Sequence, residues 1–321
     1  MNNAATICRK ELRDIVRNKL FVALFAALGF VIILSIVIGA IDFHSKLIDY
    51  QHYLQALKAT SSAALPQTPQ LFPLQLLIGG LEYLEIVGAL LAIIVGYGMV
   101  AKEKTRGTLG LLFSRPLKPF DIAVGKIGAL LAVWLAFSVF LGVAIVIVLL
   151  IVGGASLSGT DIGRLAICLA LIWIYLTFWS TLAVGFASRT KQLSAALILS
   201  LCIWLVIVLI LPQIGDTMDP DNQVPGGLFN TLHVSTAQQN SVMSHFTAYE
   251  SSRNYIESAS VEKHFERATF GFTGVKPEYN QKSIAYVFNH LWVNVLTVFL
   301  AALAGIGWAL TQCRKRYLIR K

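Results

Sequence analysis

The sequence predicts an all-α, polytopic membrane protein with six transmembrane helices, because it is strongly hydrophobic and its charges are widely spaced. Of its 321 residues, 56% are hydrophobic and 13% are charged, whereas soluble domains carry about 25% charged residues. A helix of about 20 apolar residues crosses the roughly 30 Å hydrocarbon layer of a membrane. We expect spans at 20–41, 74–100, 124–152, 163–187, 193–212 and 287–310.

The distances between charged residues set these bounds. Spans one, four and five occupy stretches of 22, 24 and 24 uncharged residues, and spans three and six occupy stretches of 34 and 31. Span two has only 16 uncharged residues before Lys102, so it reaches full length only if it includes Glu82 and Glu85. The first apolar stretch exceeds the core of about 7 to 15 residues found in signal peptides. We therefore expect it to remain as a membrane anchor.

The basic residues orient the spans. Of the 26 lysines and arginines, 18 precede span one, follow span six, or lie in the segments after spans two and four. Connecting segments rich in lysine and arginine stay in the cytoplasm. We therefore expect a multi-pass protein of the bacterial cytoplasmic (inner) membrane with both termini in the cytoplasm. The net charge of +9 then reflects orientation in the membrane, and we expect no nucleic acid partner.

Two regions outside the spans have helical patterns of their own. In residues 6–19, apolar and basic residues recur at helical spacing, which predicts an elbow helix in the inner interface against lipid headgroups. A plain flank that only sets topology is the alternative. Residues 213–286 are too long for a turn, and apolar residues after Ser235 indicate one or two amphipathic helices. We expect a small extracytoplasmic cap, so that residues 1–321 form a single transmembrane domain.

Common catalytic motifs are missing from the sequence. It has no Gly-x-x-x-x-Gly-Lys-Ser/Thr phosphate loop, no His-Glu-x-x-His, no Gly-x-Ser-x-Gly and no Cys-x-x-Cys. We therefore expect a protein that is not an enzyme, has no ATPase site and binds no cofactor itself. The six histidines show no tight ligand spacing, so we expect no metal site; binding of copper or another soft metal is the weaker alternative.

The segment between spans two and three has the features of a short docking helix. Gly107 should end the preceding helix, and Thr108 can cap the next one. The leucines that follow give this segment an apolar surface, and Pro116 should end it because the residue before proline avoids the α region. A loop that only sets topology is the alternative. Four apolar residues exposed in a cytoplasmic loop favour burial against a partner, and here they are Leu109, Leu111, Leu112 and Phe113.

This segment resembles the cytoplasmic signature of permease subunits of the type-2 ABC exporter family. The branch linked to multicopper-enzyme maturation and gliding motility is the most similar. The pattern Glu-x-x-x-Gly-Thr-Leu-x-Leu-Leu-x-x-x-Pro at 103–116, followed by Gly125-Lys126, carries the resemblance. Gly110 and Pro119 stand where the family usually has an acidic and a basic residue.

The resemblance implies that residues 103–116 form a coupling helix held in a groove of a separate ABC ATPase subunit, which binds the ATP and Mg²⁺. It also implies a dimer with a second copy or with a paralogous permease. The residues implied to couple to the ATPase are Glu103, Gly107, Thr108, Leu109, Leu111, Leu112, Arg115 and Pro116.

Several functions fit this organisation. ATP-driven export is the first, and the apolar character of spans one and five favours an amphiphilic substrate. Mechanotransmission to an extracytoplasmic partner protein, for example in metalloenzyme maturation, is the second, and a membrane enzyme is the third. Glu82 and Glu85 lie three residues apart in span two. They either reach the external headgroups or contact a cation or the transport path.

A stripe of small residues in span two, Gly88, Ala92 and Gly96, predicts close packing against another helix.

Overall fold

The computed structural model describes residues 3–60, 72–108, 118, 120–151, 157–218, 231–232, 235–245, 247–280, 282–313 and 318, and over these ranges it contains helices and no β-strand. Six of the helices are long and apolar enough to cross a membrane. The predicted all-α class and the number of spans are therefore confirmed. Spans one to six are Lys19–Thr60, Pro73–Thr105, Asp121–Ile151, Gly159–Arg189, Leu193–Met218 and Ile284–Gln312.

Span one is much longer than the uncharged stretch 20–41. Its helix continues to Thr60, and residues 42–60 contain neither glycine nor proline to end it. At about 1.5 Å per residue, a helix of 42 residues extends over roughly 63 Å, about twice the hydrocarbon thickness. Charged residues mark where a helix leaves the membrane, but they do not end the helix.

Spans two and five each contain a π turn, in which the helix is locally wider. The turn in span two covers Leu84–Gly88, and the turn in span five covers Leu205–Ile210. Span five continues through Pro212 to Met218 and does not end at residue 212 as predicted. A π turn disturbs the regular ladder of backbone hydrogen bonds. In span two, the hydroxyl of Tyr175 from span four donates a hydrogen bond of 2.9 Å to the backbone oxygen of Glu85.

Spans two and four form the centre of the bundle. In each of these two spans, 67% of the most hydrophobic stretch of 18 residues is buried, whereas in span five the buried fraction is 17%. The predicted small-residue stripe lies at their contact, because a Cβ atom at Gly96 would lie 2.0 Å from the backbone oxygen of Ser180. A Cβ atom at Gly88 would lie 3.3 Å from Leu176, and Ala92 is buried. The predicted packing role of the stripe is confirmed.

The elbow helix predicted at 6–19 forms over Asn3–Arg17 and lies against span three. Its buried residues recur every four positions, as expected for one face of a helix. They are Ile7, Glu11 and Ile15, whereas Arg9, Arg13 and Arg17 are exposed. We call this helix the N-terminal helix and the end of the bundle that carries it the basic end.

At the opposite end, which we call the cap end, the described residues between spans five and six include three α-helices, whereas the sequence predicts one or two. The cap helices one to three are Thr236–Ser244, Thr247–Ser258 and Val261–Thr273. Ser260 caps the third helix by accepting a 3.2 Å hydrogen bond from the backbone N–H of Lys263. That helix is almost entirely buried against spans four and six, and its Phe265 ring stacks on Tyr175 at 4.3 Å. The cap is therefore anchored in the bundle and is not an independent domain.

Candidate functional site

The structure describes the first part of the predicted coupling segment, residues 103–108. The other predicted coupling residues, Leu109, Leu111, Leu112, Arg115 and Pro116, lie outside the described residues. The geometry of the proposed docking helix therefore stays a prediction. The structure describes the end of span two, which leads directly into this segment.

Glu103, Gly107 and Thr108 are the parts of one helix-ending motif. The backbone N–H of Thr108 donates to the oxygen of Glu103, and that of Gly107 donates to the oxygen of Lys104, each at 3.3 Å. Gly107 has φ +66°, the left-handed conformation that this motif requires and that glycine adopts without steric cost. The prediction that Gly107 ends the helix is confirmed. Thr108 closes the helix that precedes it. The helix that Thr108 is predicted to cap lies outside the described residues.

Four charged side chains meet beside this helix end, and we call Lys10, Glu11, Glu103 and Lys126 the basic-end cluster. Lys126 of span three has a fully buried side chain. Its ammonium group lies 2.8 Å from Oε1 of Glu11 and 2.9 Å from Oε2 of Glu103, and it donates a 3.1 Å hydrogen bond to the backbone oxygen of Met99. Lys10 pairs with both glutamates from the outer side. The cluster thus joins the N-terminal helix to spans two and three.

The cluster is electrostatically balanced, with two lysines and two glutamates. Removing a charge from water is costly unless an opposite charge and hydrogen bonds replace the water. Burial by itself lowers the pKa of Lys10, but the carboxylates of Glu11 and Glu103 outweigh burial and raise that pKa above its ordinary value. Lys10 is therefore expected to remain charged at neutral pH, and the loss of any one of the four charges leaves another charge in the cluster without compensation.

Three consecutive residues at the end of span two bind three other elements. Lys102 pairs with Asp14 of the N-terminal helix at 3.0 Å, and Glu103 binds Lys126 of span three. Lys104 donates hydrogen bonds to the backbone oxygens of Ser188 (3.0 Å) and Thr190 (2.8 Å) at the end of span four. A lysine at a helix C-terminus satisfies exposed carbonyl groups and favours the negative end of the helix dipole. The end of span two is therefore tied to three neighbouring helices.

The packing of the N-terminal helix against span three explains the Gly125-Lys126 pair of the sequence signature. A Cβ atom at Gly125 would lie 2.6 Å from Cγ2 of Ile7 and 2.9 Å from the backbone oxygen of Ala4. Glycine at this position therefore lets the N-terminal helix approach span three closely. That approach brings Glu11 within reach of the buried ammonium group of Lys126.

Sequence reasoning missed Lys10 and Glu11. The available signal was the spacing, because Glu11 falls four residues from both Ile7 and Ile15 on the buried stripe of the N-terminal helix. A carboxylate at the centre of an apolar stripe needs a cationic partner. Its partner, Lys126, is 115 residues away, so the sequence alone does not identify the pair.

At the cap end the structure separates the two glutamates of span two. Glu82 is exposed, in agreement with a position near headgroups, whereas Glu85 is buried and does not reach the surface. The third cap helix provides two more carboxylates close to Glu85, those of Glu262 and Glu266. Burial and the neighbouring charge of Glu266 raise the pKa of Glu262 to about 8.

The histidines that the structure describes do not form a ligand cluster with these groups. In the described part of the chain, one group of acidic or histidine side chains is close enough to share a cation, and it contains no histidine. His264 is buried and its ring nitrogens lie 2.7 Å from Oδ1 of Asn294 and 3.0 Å from the backbone oxygen of Ser258. It is therefore a packed, hydrogen-bonded histidine.

Comparison with known proteins agrees with this architecture. The sequence profile of the ABC-2 family transporter proteins matches residues 5–310, nearly the whole chain. A comparison with curated proteins gave no match. The family provides the membrane component of ABC transporters, which pairs with an ABC ATPase and commonly forms dimers. The matched range includes spans one to five, nearly all of span six, and the basic-end cluster, so the chain belongs to the ABC-2 transporter family and is a permease component of an ABC transporter.

Proposed function

We propose that this chain is a permease subunit of the bacterial inner membrane that couples ATP hydrolysis by a separate subunit to export of an amphiphilic substrate. The observation that carries the coupling role is the end of span two. Lys102, Glu103 and Lys104 bind the N-terminal helix, span three and span four immediately before the segment expected to contact the ATPase.

These contacts allow the end of span two to transmit movement to the neighbouring helices. A displacement of residues 109–116 acts first on Gly107 and Thr108, whose backbone bonds hold them to the last turn of span two. Breaking a buried ion pair costs about 3–5 kcal/mol. The N-terminal helix and spans three and four are therefore expected to move with span two and not to slide past it.

The orientation follows from the charges. The basic end faces the cytoplasm in this proposal, because the lysines and arginines of the N-terminal helix and of residues 102–126 lie there. The exposed arginines of the N-terminal helix then lie at the level of anionic headgroups. Spans one, five and six are the most exposed, with 28%, 17% and 22% of their most hydrophobic 18-residue stretches buried, and the proposed dimer uses the surfaces of spans one and five.

Mechanotransmission remains the second candidate, and one observation favours it. The third cap helix is buried against spans four and six and contacts span two, so motion of these spans would reach the cap. This is the arrangement expected of a protein that acts on an extracytoplasmic partner. Membership of the branch linked to multicopper-enzyme maturation and gliding motility is part of this second proposal.

The coupling role is tested by co-expressing the chain with its cognate ATPase and purifying the complex. Replacing Leu111 and Leu112 by aspartate should abolish co-purification, because two charges cannot enter an apolar groove without a large desolvation cost. Leu232→Asp is the matched control, since Leu232 is 62% exposed and lies outside the coupling segment. Retention of the ATPase by the double variant would refute the coupling assignment.

Export and mechanotransmission are separated with inside-out vesicles that contain the permease and the ATPase and no other protein. ATP-dependent uptake of a fluorescent amphiphile, lost on Glu103→Gln, supports export. ATPase activity without uptake of any amphiphile, together with an ATP-dependent change in an extracytoplasmic partner enclosed in a second set of vesicles during reconstitution, supports mechanotransmission and contradicts the first proposal.

A further inference from the structure

Three carboxylates from distant parts of the sequence meet at the cap end. Glu85 of span two, and Glu262 and Glu266 of the third cap helix, place one oxygen each within 4.8 Å of the others. Glu262 and Glu266 are four residues apart and share a helix face. Glu85 lies in the π turn of span two, beneath this face. We call these three side chains the cap-end carboxylates.

Two of the cap-end carboxylates, those of Glu85 and Glu262, are buried without an ion-pair partner among the described residues. Glu85 is 4% exposed, and its Oε1 has no hydrogen-bond partner among the described residues. Glu262 is also buried, and its Oε2 accepts a long hydrogen bond of 3.4 Å from the hydroxyl of Ser260. A buried carboxylate oxygen without a partner costs free energy unless a positive charge is provided.

The nearby lysine offsets one of these charges. The ammonium group of Lys263 lies 2.6 Å from Oε2 of Glu266 and 3.3 Å from Oδ1 of Asp216. When all three carboxyl groups are ionised, as binding of a cation requires, three carboxylates and one ammonium group leave a formal charge of −2 in the cluster. A divalent cation neutralises that charge, and carboxylate oxygens are the ligands that Ca²⁺ and Mg²⁺ prefer.

We propose that Glu85, Glu262 and Glu266 bind one divalent cation of the size of Ca²⁺, which joins the cap to span two. Oxygens at about 2.3–2.6 Å from Ca²⁺ are separated by at most about 4.6–5.2 Å, whereas those around Mg²⁺ are separated by at most about 4.2 Å. The three oxygens lie within 4.8 Å of one another, which is inside the range for Ca²⁺, and the flexible coordination of Ca²⁺ accepts irregular oxygen positions. The cation would neutralise the unpartnered oxygen of Glu85 and fix the third cap helix against the bundle.

The test is Ca²⁺ binding to the purified full-length chain in lipid nanodiscs, measured by calorimetry and by ⁴⁵Ca²⁺ equilibrium dialysis. We expect one saturable site per chain with a Kd on the order of 10⁻⁴–10⁻³ M, as in extracellular calcium modules. Glu85→Gln and Glu262→Gln should each weaken binding at least tenfold. Glu82→Gln, one turn away on the same span but exposed, is the matched control and should change Kd less than twofold.

A second readout distinguishes ligand loss from misfolding. In Ca²⁺-free buffer, Glu85→Gln should unfold at the same temperature as the wild type or higher, because it removes a repelling charge. Ca²⁺ should raise the unfolding temperature of the wild type and not that of Glu85→Gln. The proposal is overturned if the wild type binds no Ca²⁺ at millimolar concentration, as expected if the carboxyl groups share a proton, or if Glu82→Gln is equally impaired. Co-purification with the ATPase does not depend on this site, so either proposal can fail alone.

Discussion

Lys126→Met is the substitution that tests the contribution of the basic-end cluster to stability most directly. It keeps much of the side-chain length but removes the ammonium group that binds Glu11 at 2.8 Å and Glu103 at 2.9 Å. The two carboxylates are 4% and 8% exposed, so water cannot replace the lost charge, and Lys10 alone remains to balance both. Removing one partner of a buried ion pair costs about 3–5 kcal/mol.

We therefore expect Lys126→Met to lower the free energy of unfolding by about 3–5 kcal/mol, measured by denaturant titration in mixed micelles. Adding Glu11→Gln to the same chain should restore more than half of this loss, because Lys10 and Glu103 then form a neutral pair. Lys118→Met, at an exposed position, is the control and should change the free energy by less than about 0.5 kcal/mol. A Lys126→Met chain within about 1 kcal/mol of the wild type would refute the argument, as would a double variant no more stable than the single one.

Three glycine substitutions give further predictions. Gly125→Ala should destabilise the fold by about 1–3 kcal/mol, because its Cβ atom would press on Ile7. Gly128→Ala, where the nearest atom is 3.5 Å away, should cost less than about 0.5 kcal/mol, and equal thermal unfolding of the two variants would contradict the close approach. Gly96→Ala should prevent folding, because the new Cβ atom would clash with the backbone of Ser180, and gel filtration measures this outcome. Gly307→Ala is the control and should fold normally, because its new Cβ atom would have no neighbouring atom within 4 Å. Gly107→Ala should lower the free energy of unfolding by about 1–2 kcal/mol, because alanine is strained at the left-handed φ of this position. An unchanged temperature of thermal unfolding would show that the helix ends differently.

The sequence predicts the parts of the fold that depend on local chemistry. Each uncharged stretch overlaps one of the six long apolar helices, and Gly107 marks the end of span two because only a left-handed residue completes that turn. The length of span one was underestimated, because the charged residues after Ile41 do not break a helix. The burial of the third cap helix was missed, because its contacts with spans four and six come from other parts of the chain.

The candidate sites show the same limit. Glu103 and Lys126 were both noted in the sequence signature, but their direct contact and the participation of Lys10 and Glu11 depend on how the N-terminal helix packs. Glu85 was noted as a carboxylate within a span, but its two neighbours lie on the third cap helix. Long-range pairs of charges are tertiary contacts, and hydrophobic spacing contains no information about which partner is chosen.

Site-directed cross-linking tests the central claim that residues 103–116 couple the spans to an ATPase. In a chain whose four native cysteines are replaced by serine, Leu112→Cys should form a cross-link to the co-expressed ATPase subunit with a short thiol-reactive reagent. Leu232→Cys, on an exposed side chain outside this segment, should form none. Cross-linking that is strong at position 112 and changes when ATP is added supports the coupling role. An ATPase that cross-links at position 232, or at neither position, would contradict it.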